Sequence, residues 1–268
     1  MAFKLCNENP EMDGDVCFIE QYNHFLEKVL CYPRSSCGEV FYKRLTKLRE
    51  KGFIYLVETG VKIGNIRVLG KGYSAIVVLA CHEKYGLGAL KIRRVDSRRD
   101  TLQKEALIML KTRDLRIVPR LYLHDEDFIF RELIPLHRCF HYPAYLRALI
   151  DNNMVHELKA LLRRTMNDLY NLDKMGVDHT ELNRLEKHMY YCVDGEIKVI
   201  DWESAKESNK PTNISSFISY LLYRFDHKNL LIDVLSLDLK AVLQALHEYK
   251  RTYSAEMYKK VLDAMHVL

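Results

Sequence analysis

Ionisable side chains gather at the two ends of one short segment, and their types suit a metal-dependent site. His179, Glu181 and His188 precede a predicted β-hairpin over residues 189–200, and Asp201 follows it. Because a tight hairpin brings its ends together, Asp201 is expected to lie near the other three side chains. Carboxylates gathered in this way repel one another unless a cation or a cationic substrate holds them. The pattern therefore predicts a metal-dependent site.

The hairpin that must position these side chains has a clear sequence pattern. Residues 189–193 and 196–200 are rich in β-forming side chains, as expected of paired strands. Asp194-Gly195 lies between them, and this pair tolerates positive φ at both central positions of a turn. A polar loop precedes the first strand, and the long helical pattern over 154–175 leads into that loop.

A second group of residues has the spacing of a phosphate-binding loop. The stretch Gly70-Lys71-Gly72-Tyr73-Ser74-Ala75-Ile76-Val77 fits the pattern G-x-G-x-x-[GA]-x-V. Glycines permit a sharp turn and let the backbone approach phosphate oxygens that a Cβ would fend off. A simple hairpin turn explains the same residues. A Rossmann loop is disfavoured, because the residues from Ala75 onward continue as a strand and not as a helix.

A lysine and a glutamate follow the glycine pattern in an order that predicts an ion pair. Lys91 lies in the apolar strand Ala89-Leu90-Lys91-Ile92, where burial without a partner is costly. Glu105 lies on the apolar face of a helix predicted over 100–111. Pairing with Glu105 would satisfy Lys91. The alternative places Lys91 on the exposed face of an edge strand.

The remaining patterns predict an α+β chain. Strands predominate between residues 53 and 134, and helices predominate after residue 135. The predicted helices outside those already given cover 16–32, 38–51, 143–150, 215–225, 237–249 and 254–268.

The helix over 38–51 has a basic face that is predicted to point outward. Its cations are Lys43, Arg44, Lys47, Arg49 and Lys51. A solvated surface explains such a face, and a weak contact with nucleic acid or a ribonucleoprotein is the alternative.

Together these residues resemble the protein kinase family. His179-Thr180-Glu181-Leu182, the hairpin and Ile200-Asp201-Trp202-Glu203 look like its catalytic loop and its metal-binding D-F-G motif. Ala89-Leu90-Lys91 resembles its V-A-I-K motif. The variant form of the D-F-G motif, D-[FW]-[EG], is common in RIO-type and related atypical, archaeal-like serine/threonine kinases. The chain is therefore most similar to that group.

The resemblance implies a two-lobed fold. A helical extension over 1–60 would precede an N-lobe over 61–134, made of an antiparallel sheet plus one helix. A reduced, mainly helical C-lobe over 135–268 would lack the activation loop and the A-P-E subdomain of typical kinases. Lys91 and Asp201 would face each other across one nucleotide-sized cleft.

The resemblance also implies ATP as the cofactor, with Mg²⁺ or Mn²⁺. Lys91 would hold the phosphates and Glu105 would orient it, while backbone from Glu132 to Ile134 would bond the adenine edge. The implied nucleotide-binding residues are Gly70, Lys71, Gly72, Tyr73, Ser74, Val77, Lys91, Glu105, Glu132 and Ile134.

The implied catalytic residues are Glu181, Lys91 and Asp201, and two departures from the family concern this group. Glu181 stands where the family has aspartate, one methylene shorter. The family's metal-binding asparagine corresponds to Glu186 by counting from Glu181, but to His188 by counting back from Asp201 through the hairpin. Since pairing fixes the length of a hairpin, Asp201 and His188 are the predicted metal ligands. His179 is expected to hold the loop through a backbone hydrogen bond.

Composition is that of a globular protein, with 268 residues, 48% hydrophobic and 29% charged, and a formal net charge of +5. Seven cysteines, an odd number without C-x-x-C, argue against a disulfide framework and for a reducing cytosol. No apolar run reaches the roughly 18 residues that a membrane span needs. A cytoplasmic location without membrane contact is expected.

These patterns predict an ATP-dependent phosphotransferase, an atypical serine/threonine kinase acting on a protein acceptor. The main alternative keeps the fold and nucleotide binding, as an ATPase switch or pseudokinase that acts through partners. A small-molecule kinase is a further possibility. A metal-dependent hydrolase using His179, His188 and Asp201, or a nucleic-acid-binding module, would leave the glycine pattern, Lys91 and Glu105 unexplained.

Overall fold

The chain folds into apolar strands, concentrated in its first half, and amphipathic helices, concentrated in its second half, and the expected mixed α+β class is confirmed. The computed structural model describes residue 6 and residues 14–268. Contacts divide the chain into two units. Residues 1–110 and 119–135 form the first unit, and residues 111–118 and 136–268 form the second.

The first unit is built on an antiparallel sheet. Its strands are β1 (Asp15–Phe18), β2 (Phe53–Glu58), β3 (Val61–Ile63), β4 (Ile66–Val68), β5 (Gly70–Lys71), β6 (Ala75–His82), β7 (Gly86–Arg93), β8 (Leu121–His124) and β9 (Phe128–Arg131). The sheet order is β1-β2-β6-β7-β9-β8, with β5 also paired to β6, while β3 and β4 form a separate hairpin. Strands β6 and β7 are buried along most of their length, as their nearly continuous apolar runs require.

Three helices accompany this sheet: α1 (His24–Leu30), α2 (Glu39–Glu50) and α3 (Gln103–Lys111). The buried faces of α1 and α2 join Ile76, Val78 and Phe130 of the sheet in one apolar core. Burial of this kind is the main stabilising term for such a layer. The core fixes β6 and β7, which carry the glycine turn and Lys91.

The helix predicted over 16–32 is wrong in its first part. Val16 lies in β1, opposite Val57 of β2. The helix begins only after Asn23, whose side chain accepts a hydrogen bond from the Phe25 amide at 2.7 Å and so caps the first turn. Strands β1 and β2 belong to the same sheet as β6 and β7. This sheet therefore includes residues on both sides of residue 60, where the sequence predicts that a helical extension ends and the N-lobe begins.

The outward position predicted for Arg44 is also wrong. Its side chain is 1% exposed, and its Nη2 lies 2.8 Å from Asp127 Oδ1. Lys47 Nζ lies 3.4 Å from the other oxygen of the same carboxylate. Helix α2 therefore turns part of its basic face toward an aspartate distant in sequence, which reduces the surface available to a polyanion.

Six of the seven cysteines form disulfides, so the expectation of none is wrong. The pairs are Cys6–Cys81, Cys31–Cys37 and Cys139–Cys192, and Cys17 remains a buried thiol. Cys139 and Cys192 are distant in sequence but lie opposite each other on paired strands. Disulfides persist in oxidising compartments and inside the cells of hyperthermophiles. The cysteine-based reason for a reducing cytosol therefore does not hold.

The second unit is mainly helical. Its strands are β10 (Cys139–His141), β11 (Val177–Asp178), β12 (Met189–Cys192), β13 (Ile197–Val199) and β14 (Lys206–Glu207). Its helices are α4 (Tyr142–Asp151), α5 (Val155–Lys174), α6 (Leu185–His188), α7 (Asn213–Ser219), α8 (Lys228–Leu235), α9 (Leu239–Thr252) and α10 (Ala255–Ala264), with a 3₁₀ turn at Trp202–Ser204 and a π turn at Tyr220–Arg224. In the described part of the chain, no helix has both the length and the apolar character that crossing a bilayer demands.

The predicted hairpin is confirmed as β12 and β13, and β10 pairs with the outer edge of β12. The turn differs from the tight turn expected at Asp194-Gly195. Gly195 has φ 82°, whereas the Asp194 side chain accepts a hydrogen bond from the Glu196 amide at 3.0 Å. The turn therefore spans residues 193–196, with positive φ at the glycine but not at Asp194.

Candidate functional site

The glycine pattern forms the turn between β5 and β6. Gly70 lies opposite Val77 and Lys71 opposite Ile76, and the Gly72 amide donates to the carbonyl of Ala75 at 2.8 Å. A Cβ added at Gly70 would meet no atom within 4 Å, and its φ is outside the left-handed region. Gly70 thus leaves the backbone uncovered on one side, as a phosphate-binding turn requires.

Arg94, just beyond β7, holds this turn in place. Its amide donates to the carbonyl of Ser74 at 2.8 Å, and its Nη1 donates to the carbonyl of Gly72 at 3.3 Å. Asp96 accepts two hydrogen bonds of 2.8 Å from the same guanidinium. Lys71 and Arg94 both lie over the ring of Tyr32, at 5.6 and 5.4 Å. The turn is therefore fixed from a neighbouring strand, while Tyr73 at its tip is exposed.

Lys91 and Glu105 form the buried ion pair that the sequence predicts. Lys91 Nζ lies 2.7 Å from Glu105 Oε2, and the two side chains are 8% and 6% exposed. Lys91 lies on β7, opposite Val77 of β6 and Ile129 of β9, so the edge-strand alternative is wrong. Desolvation makes such a buried ion pair a poor source of stability.

Part of the backbone that is expected to bond an adenine edge is already hydrogen-bonded within the protein. The Glu132 amide donates to the carbonyl of Arg120 at 2.8 Å, and the Glu132 carbonyl accepts from Arg131 Nη1 at 2.9 Å. Glu132 therefore has its backbone groups engaged. The backbone nearer to Ile134, which follows β9, is the better candidate for that role.

In the second unit, His179 holds the loop as expected. It is fully buried, and its Nε2–H donates to the carbonyl of Ile200 at 3.1 Å. Its ring packs edge-on against Trp202, with centroids 4.9 Å apart. Burial, with a smaller contribution from His188, lowers the pKa of His179 to about 4. The ring is therefore neutral near pH 7 and ties the entry side of the hairpin to its exit side.

A polar network that the sequence did not reveal supports this loop. Asn213 accepts from the His179 amide at 3.0 Å, and its Nδ2 donates to Asp173 Oδ1 at 2.8 Å. Tyr249 donates its hydroxyl hydrogen to Asp173 Oδ2 at 2.7 Å. Asp173 is buried in α5. The sequence does place the carboxylate of Asp173 on the otherwise apolar face of that helix, and this position could have indicated a buried polar network.

Asp173 is expected to make stability depend on pH. Burial, opposed by hydrogen bonds from Tyr249 and Asn213, raises the pKa of Asp173 from 3.8 to about 6. The fold thus favours the protonated acid, so this contribution is full below pH 3.8 and is lost as the pH rises through about 6. Between these limits, urea unfolding should show wild type losing up to about 3 kcal/mol relative to Asp173→Asn.

The exposed Asp263→Asn variant serves as the control for Asp173, and its stability is expected to follow the wild type at every pH. Parallel profiles for wild type and Asp173→Asn would contradict the proposed ionisation.

Glu181, His188 and Asp201 come together as predicted. Each offers one ligand atom, and these atoms lie within 4.8 Å of one another. Glu181 Oε2 lies 3.0 Å from His188 Nε2. The Ile200 amide donates to the carbonyl of His188 at 2.8 Å, which joins the end of α6 to the residue before Asp201. Counting back from Asp201 through the hairpin therefore identified His188, which belongs to the cluster. Glu186, the alternative found by counting from Glu181, is exposed and lies outside the cluster.

Backbone strain accompanies this cluster. Asp201 has φ 64° and Thr180 has φ 68°, a region that is unusual for a β-branched residue. Such conformations cost about 1–3 kcal/mol each and persist where surrounding contacts impose them. Here the Thr180 amide donates to Asp178 Oδ1 at 3.0 Å, and its hydroxyl donates to the carbonyl of Ser204 at 3.2 Å.

Comparison of the chain with protein-family models and with curated proteins found no match. Two sets of residues therefore bear on its function: the glycine turn with Lys91 and Glu105, and the cluster of Glu181, His188 and Asp201.

Proposed function

We propose that the protein is an ATP-dependent phosphotransferase, an atypical serine/threonine protein kinase of RIO-like, two-lobed type. The observation that carries the proposal is the buried Lys91–Glu105 pair, with a 2.7 Å contact, in the strand beside the glycine turn. A charged lysine kept in an apolar sheet by a helical glutamate is arranged to hold phosphate oxygens. The uncovered backbone of Gly70, two strands away at the same level of the sheet, supports the same ligand.

Phosphoryl transfer asks a protein mainly for positioning and for neutralisation of charge. In this proposal Lys91 holds the α- and β-phosphates, and Glu105 orients its ammonium group. Asp201 and His188 hold the divalent cation, and Glu181 accepts the proton of the attacking hydroxyl. The donor set fits a cation, because His188 is buried and, among the described residues, neither of its ring nitrogens has a hydrogen-bond partner. When bound, the cation would neutralise charge on the transferring phosphate.

A nucleotide-binding ATPase switch or pseudokinase is the second candidate. The observation in its favour is the 3.0 Å separation of Glu181 Oε2 from His188 Nε2, which places an imidazole directly against the carboxylate that must accept the proton. A hydrolase that uses His179 as a metal ligand has less support, because His179 Nε2 is bonded to Ile200 and His179 is outside the three-residue cluster.

Replacing Lys91 by alanine is expected to lower phosphate transfer by about 100-fold, because the ammonium group stabilises charge that develops on the phosphates. Label from γ-labelled ATP, appearing on the protein itself or on a generic acceptor protein with Mg²⁺ or Mn²⁺, measures the rate. The exposed Lys43→Ala variant in the same unit is the control and should match the wild type.

Tight nucleotide binding without transfer in the wild type would favour the switch over the kinase. Transfer that is equally fast in Lys91→Ala and wild type would remove both candidates.

A further inference from the structure

The side chains of Glu181, His188 and Asp201 offer two carboxylates and one imidazole to a common point. Their ligand atoms lie within 4.8 Å of one another. Bonds of about 2.0–2.2 Å from nitrogen or oxygen to Zn²⁺ place two ligands of one ion about 3–4 Å apart. The cluster therefore needs only a small contraction to enclose one ion.

His188 is the unusual member of this cluster. Its side chain is 8% exposed, and neither ring nitrogen has a hydrogen-bond partner among the described residues. Buried polar atoms are almost always bonded, and an exception calls for an explanation such as an ion. Nε2 lies 3.0 Å from Glu181 Oε2 without a hydrogen-bonding geometry, so this nitrogen faces the other candidate ligands of the cluster.

The type of these ligands bears on which ion they bind. Mg²⁺ favours oxygen ligands in a near-ideal octahedron. Imidazole nitrogen favours later divalent transition metals, whose affinities rise from Mn²⁺ through Co²⁺ to Cu²⁺. The protein kinases that this chain resembles have an amide oxygen where His188 has an imidazole. The expected preference therefore shifts from Mg²⁺ toward a transition-metal ion.

We propose that Glu181, His188 and Asp201 together bind a later divalent transition-metal ion, such as Co²⁺ or Zn²⁺, in preference to Mg²⁺. Glu181 then acts as a metal ligand through Oε2, and its other oxygen remains for a proton. The inference deepens the proposed function by naming its cation, and it rests on that function only for the use made of the ion.

Calorimetric titration with Co²⁺ and with Mg²⁺, without nucleotide, tests the proposal. Wild type is expected to bind Co²⁺ at least about tenfold more tightly than Mg²⁺. His188→Asn restores an oxygen ligand, and it should weaken Co²⁺ binding by at least about tenfold while changing Mg²⁺ binding much less. The visible absorption of bound Co²⁺ should change in the same variant, which reports directly on the loss of a nitrogen ligand.

His156→Asn, an exposed histidine on α5, is the matched control and should bind both ions as wild type does. Glu181→Gln provides a second variant if His188→Asn does not fold, and it should also weaken Co²⁺ binding. Equal wild-type affinities for the two ions, or Co²⁺ binding that survives in the folded variants, would overturn the proposal.

Failure of the metal site and failure of the proposed function give different results. Tight Co²⁺ binding without phosphate transfer would keep the metal site and remove the kinase. Equal affinities for Co²⁺ and Mg²⁺, together with phosphate transfer that is insensitive to His188→Asn, would keep the kinase and remove the transition-metal site.

Discussion

Replacing Asp201 by asparagine is expected to lower the rate of phosphate transfer from ATP by about 1,000-fold. In the proposed function this carboxylate holds the cation that neutralises the triphosphate, and an amide carries no charge to do so. Asparagine is the informative replacement because Asp201 has φ 64° and ψ 65°. Asparagine visits this left-handed region more readily than alanine does. The charge is therefore removed with little added backbone strain.

Steady-state rates with γ-labelled ATP measure the effect of Asp201→Asn. Asp263→Asn makes the same chemical change on the exposed face of α10 and is expected to leave the rate unchanged. The unfolding midpoint of Asp201→Asn should stay close to that of the wild type, which separates loss of catalysis from loss of fold. A folded Asp201→Asn protein with the wild-type rate would contradict the role given to this carboxylate.

The largest effect on stability is expected at Asp127, where alanine should lower the free energy of unfolding by about 3–5 kcal/mol. Asp127 Oδ1 lies 2.8 Å from Arg44 Nη2 and 2.9 Å from Arg93 Nη2. Arg44 is 1% exposed, so losing its partner leaves a buried guanidinium charge uncompensated. Urea unfolding at pH 7 measures the loss.

The pH dependence of this contribution has a definite sign. Burial alone would raise the pKa of Asp127, but Arg44 and Arg93 outweigh it and hold that pKa below its ordinary value. The contribution is therefore present at neutral pH and is lost as the pH falls through the depressed pKa.

Asp96→Ala is the matched control for Asp127, because it removes a carboxylate that is paired with Arg94 but is 41% exposed on the surface. Exposed pairs contribute about 0–1 kcal/mol. A loss at Asp127 no larger than the loss at Asp96 would show that the buried guanidinium finds other compensation.

Local patterns carried much of the fold and of the candidate site. The hairpin at β12 and β13 follows from β-forming runs around a glycine turn, and its length singled out His188 as the neighbour of Asp201. The Lys91–Glu105 pair follows from a charge that an apolar strand cannot hold alone. The hairpin could be predicted because its contacts join residues that are close in sequence. The ion pair could be predicted because a buried charge needs a partner of opposite charge.

The features that sequence patterns missed depend on partners that are distant along the chain. Arg44 looks like a solvated helix residue until the sheet brings Asp127 beside it. Cys139 and Cys192 are 53 residues apart and meet only because β10 pairs with β12. Asp173 gains its partners from Asn213 and Tyr249 in later helices. Helical and strand periodicity gives the face of a residue, but not the identity of what packs against that face.

Calorimetric titration with a non-hydrolysable ATP analogue and Mn²⁺ is the decisive experiment for a nucleotide site that uses Lys91 and Asp201. Wild type is expected to bind the analogue, Lys91→Ala and Asp201→Asn are each expected to weaken binding by about tenfold or more, and Lys43→Ala is expected to bind as wild type does. A wild-type protein that binds no analogue, or two folded variants that bind it unchanged, would rule out this site.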